Sequence, residues 1–508
     1  MKLWKFAGST AAAALLSGSG AFADVTPEQV WQSWQDLSLS AGQTITAVST
    51  VREGNVLIVQ DVNITSDVES VSSNSSISEM KFSDNGDGSV NITMSDDQVM
   101  NIVTKAVPGT DGPGESKSTV SISHPGMTIV ASGAPEALNY AIDAPTMVVK
   151  LLSIEGADGV AVNTDINVVL TGLAAKYVME PGSDATKLDS DFIAKTMVLT
   201  VEGKGSADGS DGTVVIEFAD FAGKTKGNFV GAEAMQDMAA AMKAGFTVDG
   251  GISYKSMKID FDGNDAAGPS KLSGVGADGN LTFVLDKSRM QYGLDTKGVN
   301  FTVASADIPF PELKFGFAEA AFNFELPVGT SDVPTDFAFL TRLVDFTISD
   351  EVWGMVDPAG TLPRDPATVI VDAKGKVRMT TDLFDQTAMD ALGDIPPGEL
   401  HALDVAELKV AAAGALLTGA GAFTFDNSDT TTYPGMPLPT GKIDLKLNGG
   451  NGLMDKLVAM GLMSAEDVMG AKMMIAIVAN AGPEGTDELT STIEIKDKVL
   501  SANGQPLQ

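Results

Sequence analysis

Alternation of apolar and polar residues with a period of two is the feature that most constrains how this chain can fold. In the segment 442–447, three apolar residues alternate with lysine and aspartate, and the turn sequence Asn448-Gly449-Gly450 follows. Neighbouring side chains on a β-strand point to opposite faces of a sheet, so this pattern predicts strands with one apolar and one polar face. The same pattern recurs in the segments 213–218, 256–261, 281–285, 299–303, 313–317, 322–326 and 492–495.

Turn residues separate these segments at short intervals. The chain contains 53 glycines, and strand patterns spaced by roughly eight to twelve residues are typical of antiparallel β structure. The segment 402–425 carries two opposing signals, because its alanines favour helix whereas Gly414, Gly419 and Gly421 interrupt it, and we predict strands there. The predicted fold class is mainly β: a long, twisted antiparallel sheet, curled or doubled over, with a few short peripheral helices.

Four segments carry the signals of short helices. Thr26 can cap a helix that has Pro27 at its first position, which predicts a helix over 27–37. The segment 232–244 places three methionines on one stripe, and such stripes are usually core filling. The other two helices are predicted over 453–460 and 465–476, the latter opened by Ser464 and Asp467 in capping-box spacing.

The first 23 residues have the order of a secretory leader. Lys2 and Lys5 precede a short apolar stretch, and Ala21-Phe22-Ala23 forms an A-x-A cleavage site. Cleavage after Ala23 predicts a periplasmic or secreted protein, and the lack of cysteine excludes a lipoprotein anchor. Residues 24–508 then form a β-rich exported domain, with candidate subdivisions near 245 and 427. No transmembrane segment is predicted, because the uncharged, alanine-rich stretch 410–425 is shorter than the about 20 residues that a membrane helix needs.

The charge balance excludes several classes of partner. The chain has 33 basic and 67 acidic residues, a formal net charge of −34. Such a surface repels phosphate backbones and anionic lipid headgroups, so no nucleic-acid partner is expected. Solubility in a saline exterior explains this acidity, and divalent cations remain compatible with it.

The chain is poor in the groups that catalyse reactions near neutral pH. It has no cysteine and only two histidines, His124 and His401, whereas imidazole and thiolate serve most hydrolytic, redox and transition-metal chemistry. Both histidines lie near prolines, which predicts solvated loops. We therefore expect a non-catalytic protein without a cofactor. A hydrolase that uses two carboxyl groups stays open as a third hypothesis, although nothing in the sequence selects a pair.

Two motif matches have simpler explanations. Gly274, Gly276 and Gly279 match a dinucleotide-binding pattern, but no helix follows them to present its N-terminus to a phosphate, so a turn is predicted. Asp260 and Asp262 begin like a calcium loop, yet the sixth and twelfth positions of that loop depart from the motif. The sequence therefore assigns no metal ligand.

Four phenylalanines are the candidates for a ligand site. Phe315 and Phe317, then Phe322 and Phe324, alternate with other residues, and we place the two pairs on adjacent strands that share one apolar face. A packed core between two sheets would explain such a face. The functional alternative is the inner wall of a groove that takes acyl chains.

Several stretches resemble a family of uncharacterised secreted alphaproteobacterial proteins, domain of unknown function 2125. The resemblance rests on Trp31 and Trp34 and on the segments 348–353, 355–358 and 362–368, and it extends over nearly the whole chain after the leader. That family supplies no activity and no catalytic residues to carry over. The tail, 493–507, is similar to AsmA-like envelope proteins, whose long curled sheets are thought to handle lipid.

Two main functional hypotheses follow. The first is a periplasmic binding or carrier protein for an apolar, lipid-like ligand, held by the four phenylalanines. The second is a structural or interaction protein of the cell envelope or exterior, with calcium bound by acidic turns. An open groove would support the first hypothesis, whereas a sealed core would count against it.

Overall fold

Strands make up most of the described chain. The computed structural model describes residues 25–40, 42–68, 71–105, 114–156, 163–182, 184–203, 205, 210–231 and 233–507, so the leader and its Ala23 cleavage site lie outside the described residues. The helices are α1 (Pro27–Ser40), α2 (Met238–Lys243), α3 (Asp350–Val356), α4 (Gln386–Leu392), α5 (Gly450–Ala459) and α6 (Ala465–Val478). The strands are β1 (Gln43–Glu53), β2 (Val56–Val68), β3 (Val71–Asp84), β4 (Val90–Met94), β5 (Asp97–Thr104), β6 (Ser116–Ser123), β7 (Thr128–Ala134), β8 (Ala137–Glu155), β9 (Thr164–Pro181), β10 (Ala185–Gly203), β11 (Asp211–Val230), β12 (Thr247–Tyr254), β13 (Ser256–Asp265), β14 (Gly268–Gly276), β15 (Gly279–Leu285), β16 (Arg289–Ser305), β17 (Leu313–Pro327), β18 (Thr335–Ile348), β19 (Ala367–Met379), β20 (Gly398–Ala412), β21 (Ala415–Asp426), β22 (Leu438–Asn448), β23 (Asn480–Ala481), β24 (Glu488–Lys496), β25 (Val499–Ala502) and β26 (Gln505–Pro506).

These strands form one antiparallel sheet in which pairing follows chain order closely. Where strands are short, two lie end to end beside one long neighbour: β4 and β5 beside β3, β7 and β6 beside β8, β12 and β13 beside β11, and β15 and β14 beside β16. The prediction of a mainly β fold with a long antiparallel sheet and mostly short helices is confirmed.

A line of irregular residues crosses the sheet near the middle of its long strands. Asp61 in β2, Asp220 in β11 and Asp345 in β18 have positive φ angles of 50°, 48° and 54°, and the pairing ladders skip them. Gly172 in β9 and Gly298 in β16 have φ angles of 58° and 59°. Aspartate and glycine adopt this left-handed conformation more readily than most residues. We call these five positions the bend line.

Each residue of the bend line shifts the alternation of side chains by one position. In β2, Leu57 and Val59 are buried before Asp61, and Val62 is buried after it. A bulge of this kind bends a strand and changes which face the following side chains take. Both halves of a long strand therefore place their apolar residues on the same face of the sheet.

Replacing Asp220 by valine is expected to destabilise the sheet. A left-handed backbone costs L-residues about 1–2 kcal/mol, and β-branched side chains are true outliers there. We expect Asp220→Val to lower the free energy of unfolding, measured by urea denaturation, by about 1–2 kcal/mol relative to Asp220→Gly. Equal stability of the two variants would contradict the left-handed backbone at this position.

A hydrophobic core lies where α1 packs on the N-terminal part of the sheet. Val30 and Trp31 of α1 are buried in a core with residues of β2, β3, β4, β7 and β8, and Phe82 of β3 is fully buried in the same core. Trp34 Nε1 donates a hydrogen bond of 3.0 Å to Tyr140 Oη. The other buried residues of this core are Val25, Leu57, Val59, Val62, Ile77, Met80, Val90, Ile92, Ile129, Ala131 and Leu138. Helix α1 therefore covers one face of the sheet at this end.

Three of the four predicted helices are confirmed as α1, α5 and α6. The exception is the segment 232–244, where a single 3-10 turn (Ala234–Gln236) precedes the short helix α2. Asp237 separates them, because its Oδ1 accepts hydrogen bonds from the backbone N–H groups of Ala239 and Ala240 at 2.8 and 3.3 Å and so starts a new helix. The strands predicted over 402–425 are confirmed as β20 and β21.

The sheet continues across both candidate subdivision points. Strands β11 and β12 flank residue 245 and pair with each other, as do β21 and β22 around residue 427. The subdivision stays a prediction. None of the helices in the described ranges has the length and hydropathy to cross a membrane.

Candidate functional site

From β9 onwards, the sheet has one apolar face and one charged face. The register aligns Ile252, Leu281, Leu294 and Phe322 in one row across β12, β15, β16 and β17. We call the face that carries this row the apolar face. Across the described residues of β9 to β24, the regularly paired lysines, arginines, aspartates and glutamates lie on the opposite face, except for Asp265 at the turn between β13 and β14. Ion pairs there include Lys226–Asp189, Lys258–Asp260, Lys271–Asp262, Arg289–Glu325, Arg342–Glu319, Lys376–Asp336, Arg378–Glu399 and Lys446–Glu488.

Four large side chains that lie close together on the apolar face of β12, β16, β17 and β18 remain accessible to solvent. The exposed fractions are 40% for Ile252, 42% for Leu294, and 37% for both Phe322 and Phe339. Phe339 lies on β18, directly opposite Phe324 of β17. Apolar residues scattered singly over a surface are ordinary, but these four lie close together on neighbouring strands, as in a binding surface.

The four predicted phenylalanines lie on one strand and not on two. Phe315, Phe317, Phe322 and Phe324 all belong to β17, which pairs with β16 and β18 on both sides of its midpoint. The ladder with β16 continues through residues 319–321 between the two pairs. Opposite Asp345, the ladder between β17 and β18 skips Phe317 and Ala318. The alternation of side chains shifts there, so both pairs of phenylalanines lie on the apolar face. Their assignment to a ligand groove stays a prediction.

Aromatic rings pack beside one another around Phe322. Its ring centroid lies 6.0 Å from that of Phe324, 5.8 Å from that of Phe339 and 6.4 Å from that of Tyr292. Ring pairs at these separations stabilise one another. The cluster is therefore held in place by its own contacts while part of each of the Phe322 and Phe339 rings stays open to solvent.

Glycines leave room for rings on the apolar face. Gly274 and Gly276 lie in β14 and Gly279 opens β15, so the predicted turn is wrong. A Cβ atom at Gly279 would lie 2.0 Å from Tyr254 Cζ, and one at Gly274 would lie 2.4 Å from Phe301 Cε1. Two of the three glycines, Gly274 and Gly279, thus allow aromatic rings to pack against the backbone.

The prediction of solvated loop residues is wrong in its solvation for His124, which lies in a loop but is buried, and in its loop position for His401. His124, only 2% exposed, lies between β6 and β7. Its N–H donates to Asp96 O at 2.8 Å, and its Nε2 lies 2.9 Å from Gln98 Nε2. His401 lies in β20, with its Nε2 3.5 Å from Glu399 Oε2.

Lysines engage the acidic residues of the calcium-loop match. Lys258 Nζ lies 2.7 Å from Asp260 Oδ2, and Lys271 Nζ lies 2.8 Å from Asp262 Oδ2. Within the part of the chain that the structure describes, no three His, Cys, Asp or Glu side chains are grouped so as to hold a metal ion. The geometry here suits ion pairing across the charged face.

Carboxyl groups with a shifted pKa in the described ranges are all shifted downward. The Arg378 guanidinium lowers the pKa of Glu399, and Lys498 holds the pKa of Asp429 well below its usual range. A general acid that works near neutral pH needs a raised pKa. None of these groups therefore has the property that an acid-pair hydrolase requires. They are Glu79, Asp87, Asp286, Asp357, Glu399, Asp426, Asp429 and Asp444.

A pocket of about 500 Å³ lies on the charged face near the ends of β10, β11 and β12. Lys226 and Arg289 line it, but Lys226 Nζ lies 2.9 Å from Asp189 Oδ2 and Arg289 Nη1 lies 3.0 Å from Glu325 Oε1. Asp189 raises the pKa of Lys226, and Glu325 raises that of Arg289. Because these cations are already paired, this pocket is a weaker candidate for a ligand site than the apolar face.

Helices border the apolar face at its ends. Helix α1 covers it at the N-terminal end, and α2 packs with Phe246 and Leu285 against one edge near β11 to β16. At the C-terminal end, Ser491 Oγ donates a hydrogen bond of 2.5 Å to the carbonyl oxygen of Val478, the last residue of α6. The accessible patch on β12 to β18 therefore lies between the region that α1 covers and the strand that the end of α6 contacts.

Sequence reasoning found Phe322 but missed Ile252, Leu294 and Phe339. Glycines next to Ile252 and Leu294 obscure the alternation there. Extending the period-two pattern through glycine positions would have placed both residues on the apolar side. Comparisons with protein-family models, curated proteins and solved structures return no match to this chain. The family resemblances described above stay predictions.

Proposed function

We propose that this chain is an exported, non-catalytic protein that binds or carries an apolar, lipid-like ligand on the apolar face of its sheet. The observation that carries the proposal is the uncharged face of β9 to β24, with a contiguous accessible patch formed by Ile252, Leu294, Phe322 and Phe339. The ligand's polar headgroup would remain in solvent, because the apolar face offers it no charged partner.

The dimensions of the patch suit an extended hydrocarbon chain. Thr341 of β18 pairs with Phe322 and extends the row to five neighbouring strands, which is about 19 Å at the usual strand spacing. Each methylene group that leaves water on this surface contributes about 0.8 kcal/mol. A fatty acyl chain laid across the strands can therefore gain substantial binding energy without any specific polar contact.

Introducing a charge at Phe322 is expected to weaken this binding. In Phe322→Glu, a carboxylate would stand in the middle of the patch, and ligand binding would have to strip it of water. We expect the dissociation constant for cis-parinaric acid, measured by fluorescence titration, to rise at least about tenfold, which corresponds to about 1.4 kcal/mol.

The matched control is Asn323→Glu on the same strand. Asn323 is exposed and points to the charged face, so the same new charge there should leave affinity for the probe unchanged. Equal weakening in both variants would indicate a general charge effect and contradict binding at the apolar face.

Native mass spectrometry with lipid extraction, on protein purified from its own cells, tests whether the protein carries a natural ligand. A bound lipid of defined mass is the expected result. A clean apo mass, together with no binding of parinaric acid, would overturn the carrier proposal and favour the alternative structural or interaction role.

A further inference from the structure

The first strand leaves one long edge of the sheet unpaired. Among the described residues, β1 pairs only with β2, and most of its eleven residues are exposed. Val48 is 81% exposed and Val51 is 48% exposed. The segment 43–51 contains neither a charged residue nor a proline. An edge of this length and composition is a template for pairing with another strand.

The opposite end of the sheet is built differently. There β25 has four residues and β26 only two, and the turn Asp497-Lys498 places charges beside them. Short strands and charged residues are the usual protection of a sheet edge. Of these two ends, as far as the structure describes them, the β1 edge is the one that offers a long, uncharged row of backbone hydrogen-bonding groups.

The geometry of β1 is self-complementary. Its ladder with β2 skips Val48 opposite Asp61, so the bend line crosses β1 close to its midpoint. When two copies of β1 pair antiparallel about a two-fold axis through Val48, the two bends coincide. Arg52 and Glu53 of each copy then lie opposite the uncharged N-terminal half of the other strand. A two-fold axis perpendicular to the sheet also keeps both apolar faces on the same side.

We propose that this chain forms a two-fold homodimer by antiparallel pairing of β1 with β1 of a second copy. The pairing joins two sheets into one and satisfies the edge hydrogen bonds of both chains. The pairing requires no bound ligand, so its test is independent of the test of the proposed carrier function.

The lack of cysteine permits a direct test by cross-linking. Directly opposed residues of antiparallel strands have Cα atoms about 4.5–5.5 Å apart, a distance that a disulfide can bridge. We expect Val48→Cys to give a covalent dimer on mild oxidation with copper phenanthroline. Thr44→Cys, on the same strand but far from the axis, should stay largely monomeric on a non-reducing gel, as should Ile193→Cys, which is 60% exposed on β10.

Sedimentation velocity of the cysteine-free protein provides the second readout. The expected species has twice the mass of the chain, and Val48→Lys, which places two like charges at the axis, should shift it to the mass of one chain. Ile193→Lys is the matched control and should leave the dimer intact. A single-chain mass at all micromolar concentrations, or equal cross-linking at Thr44 and Val48, would overturn the proposal.

Discussion

Replacing Phe82 by alanine is expected to lower the free energy of unfolding by about 3–5 kcal/mol, the usual cost of removing a buried aromatic ring. Phe82 is fully buried, and its ring centroid lies 5.9 Å from that of Trp31 and 5.6 Å from that of Trp34. Trp34 is itself held by its hydrogen bond to Tyr140. Because α1 is tied to the sheet at this point, the surrounding side chains cannot fully collapse into the cavity.

Urea denaturation followed by tryptophan fluorescence measures this loss, since two of the four tryptophans contact Phe82. Phe82→Leu should lose less stability, because it retains most of the apolar volume. Ile193→Ala is the surface control and should change stability by no more than about 0.5 kcal/mol. A loss in Phe82→Ala no larger than that of the control would show that α1 does not pack on this face.

Replacing Gly279 by valine is expected to lower the free energy of unfolding by about 1–3 kcal/mol, as overpacking usually does. A Cβ atom at this position would overlap the Tyr254 ring. The ring lies on the neighbouring strand β12, so either the ring leaves its site or the two strands separate. Thermal denaturation followed by circular dichroism measures the change as a lower Tm.

Two further variants isolate the clash as the cause. Gly203→Val changes a glycine of β10 that has only one atom, at 3.9 Å, near its virtual Cβ, so little loss is expected. Adding Tyr254→Ala to Gly279→Val should recover part of the stability, because the two changes share one contact. A purely additive double variant would show that the glycine does not serve to seat this ring.

Much of the fold could be predicted because strand alternation and helix capping are local signals. The hairpin of β20 and β21 was readable from its glycines, and α6 from Ser464, whose Oγ accepts a hydrogen bond of 3.0 Å from Asp467 N–H. The apolar face of β17 was likewise visible in the spacing of its phenylalanines. These features depend on residues that are close together in the sequence.

The bend line could not be read in this way. A single residue with positive φ, such as Asp345, shifts the alternation by one position, and in the sequence such a shift looks like the end of one strand and the start of another. For this reason the sequence pattern predicts two strands where the structure has the single strand β17. The burial of His124 and the contact between Phe339 and Phe322 depend on the register between segments that are separate in the sequence, which local patterns do not specify.

The order of strand pairing also determines which contacts stabilise each part of the sheet. Because strands bond to partners that are next to them or only a few strands away in the chain, the sheet is close to a one-dimensional array, in which each part is stabilised chiefly by its nearest neighbours. Such an array tolerates the gain or loss of an entire hairpin, since removing two strands restores both the antiparallel order and the orientation of every later side chain. The length of the sheet is therefore a property that evolution can adjust in units of two strands without redesigning the rest.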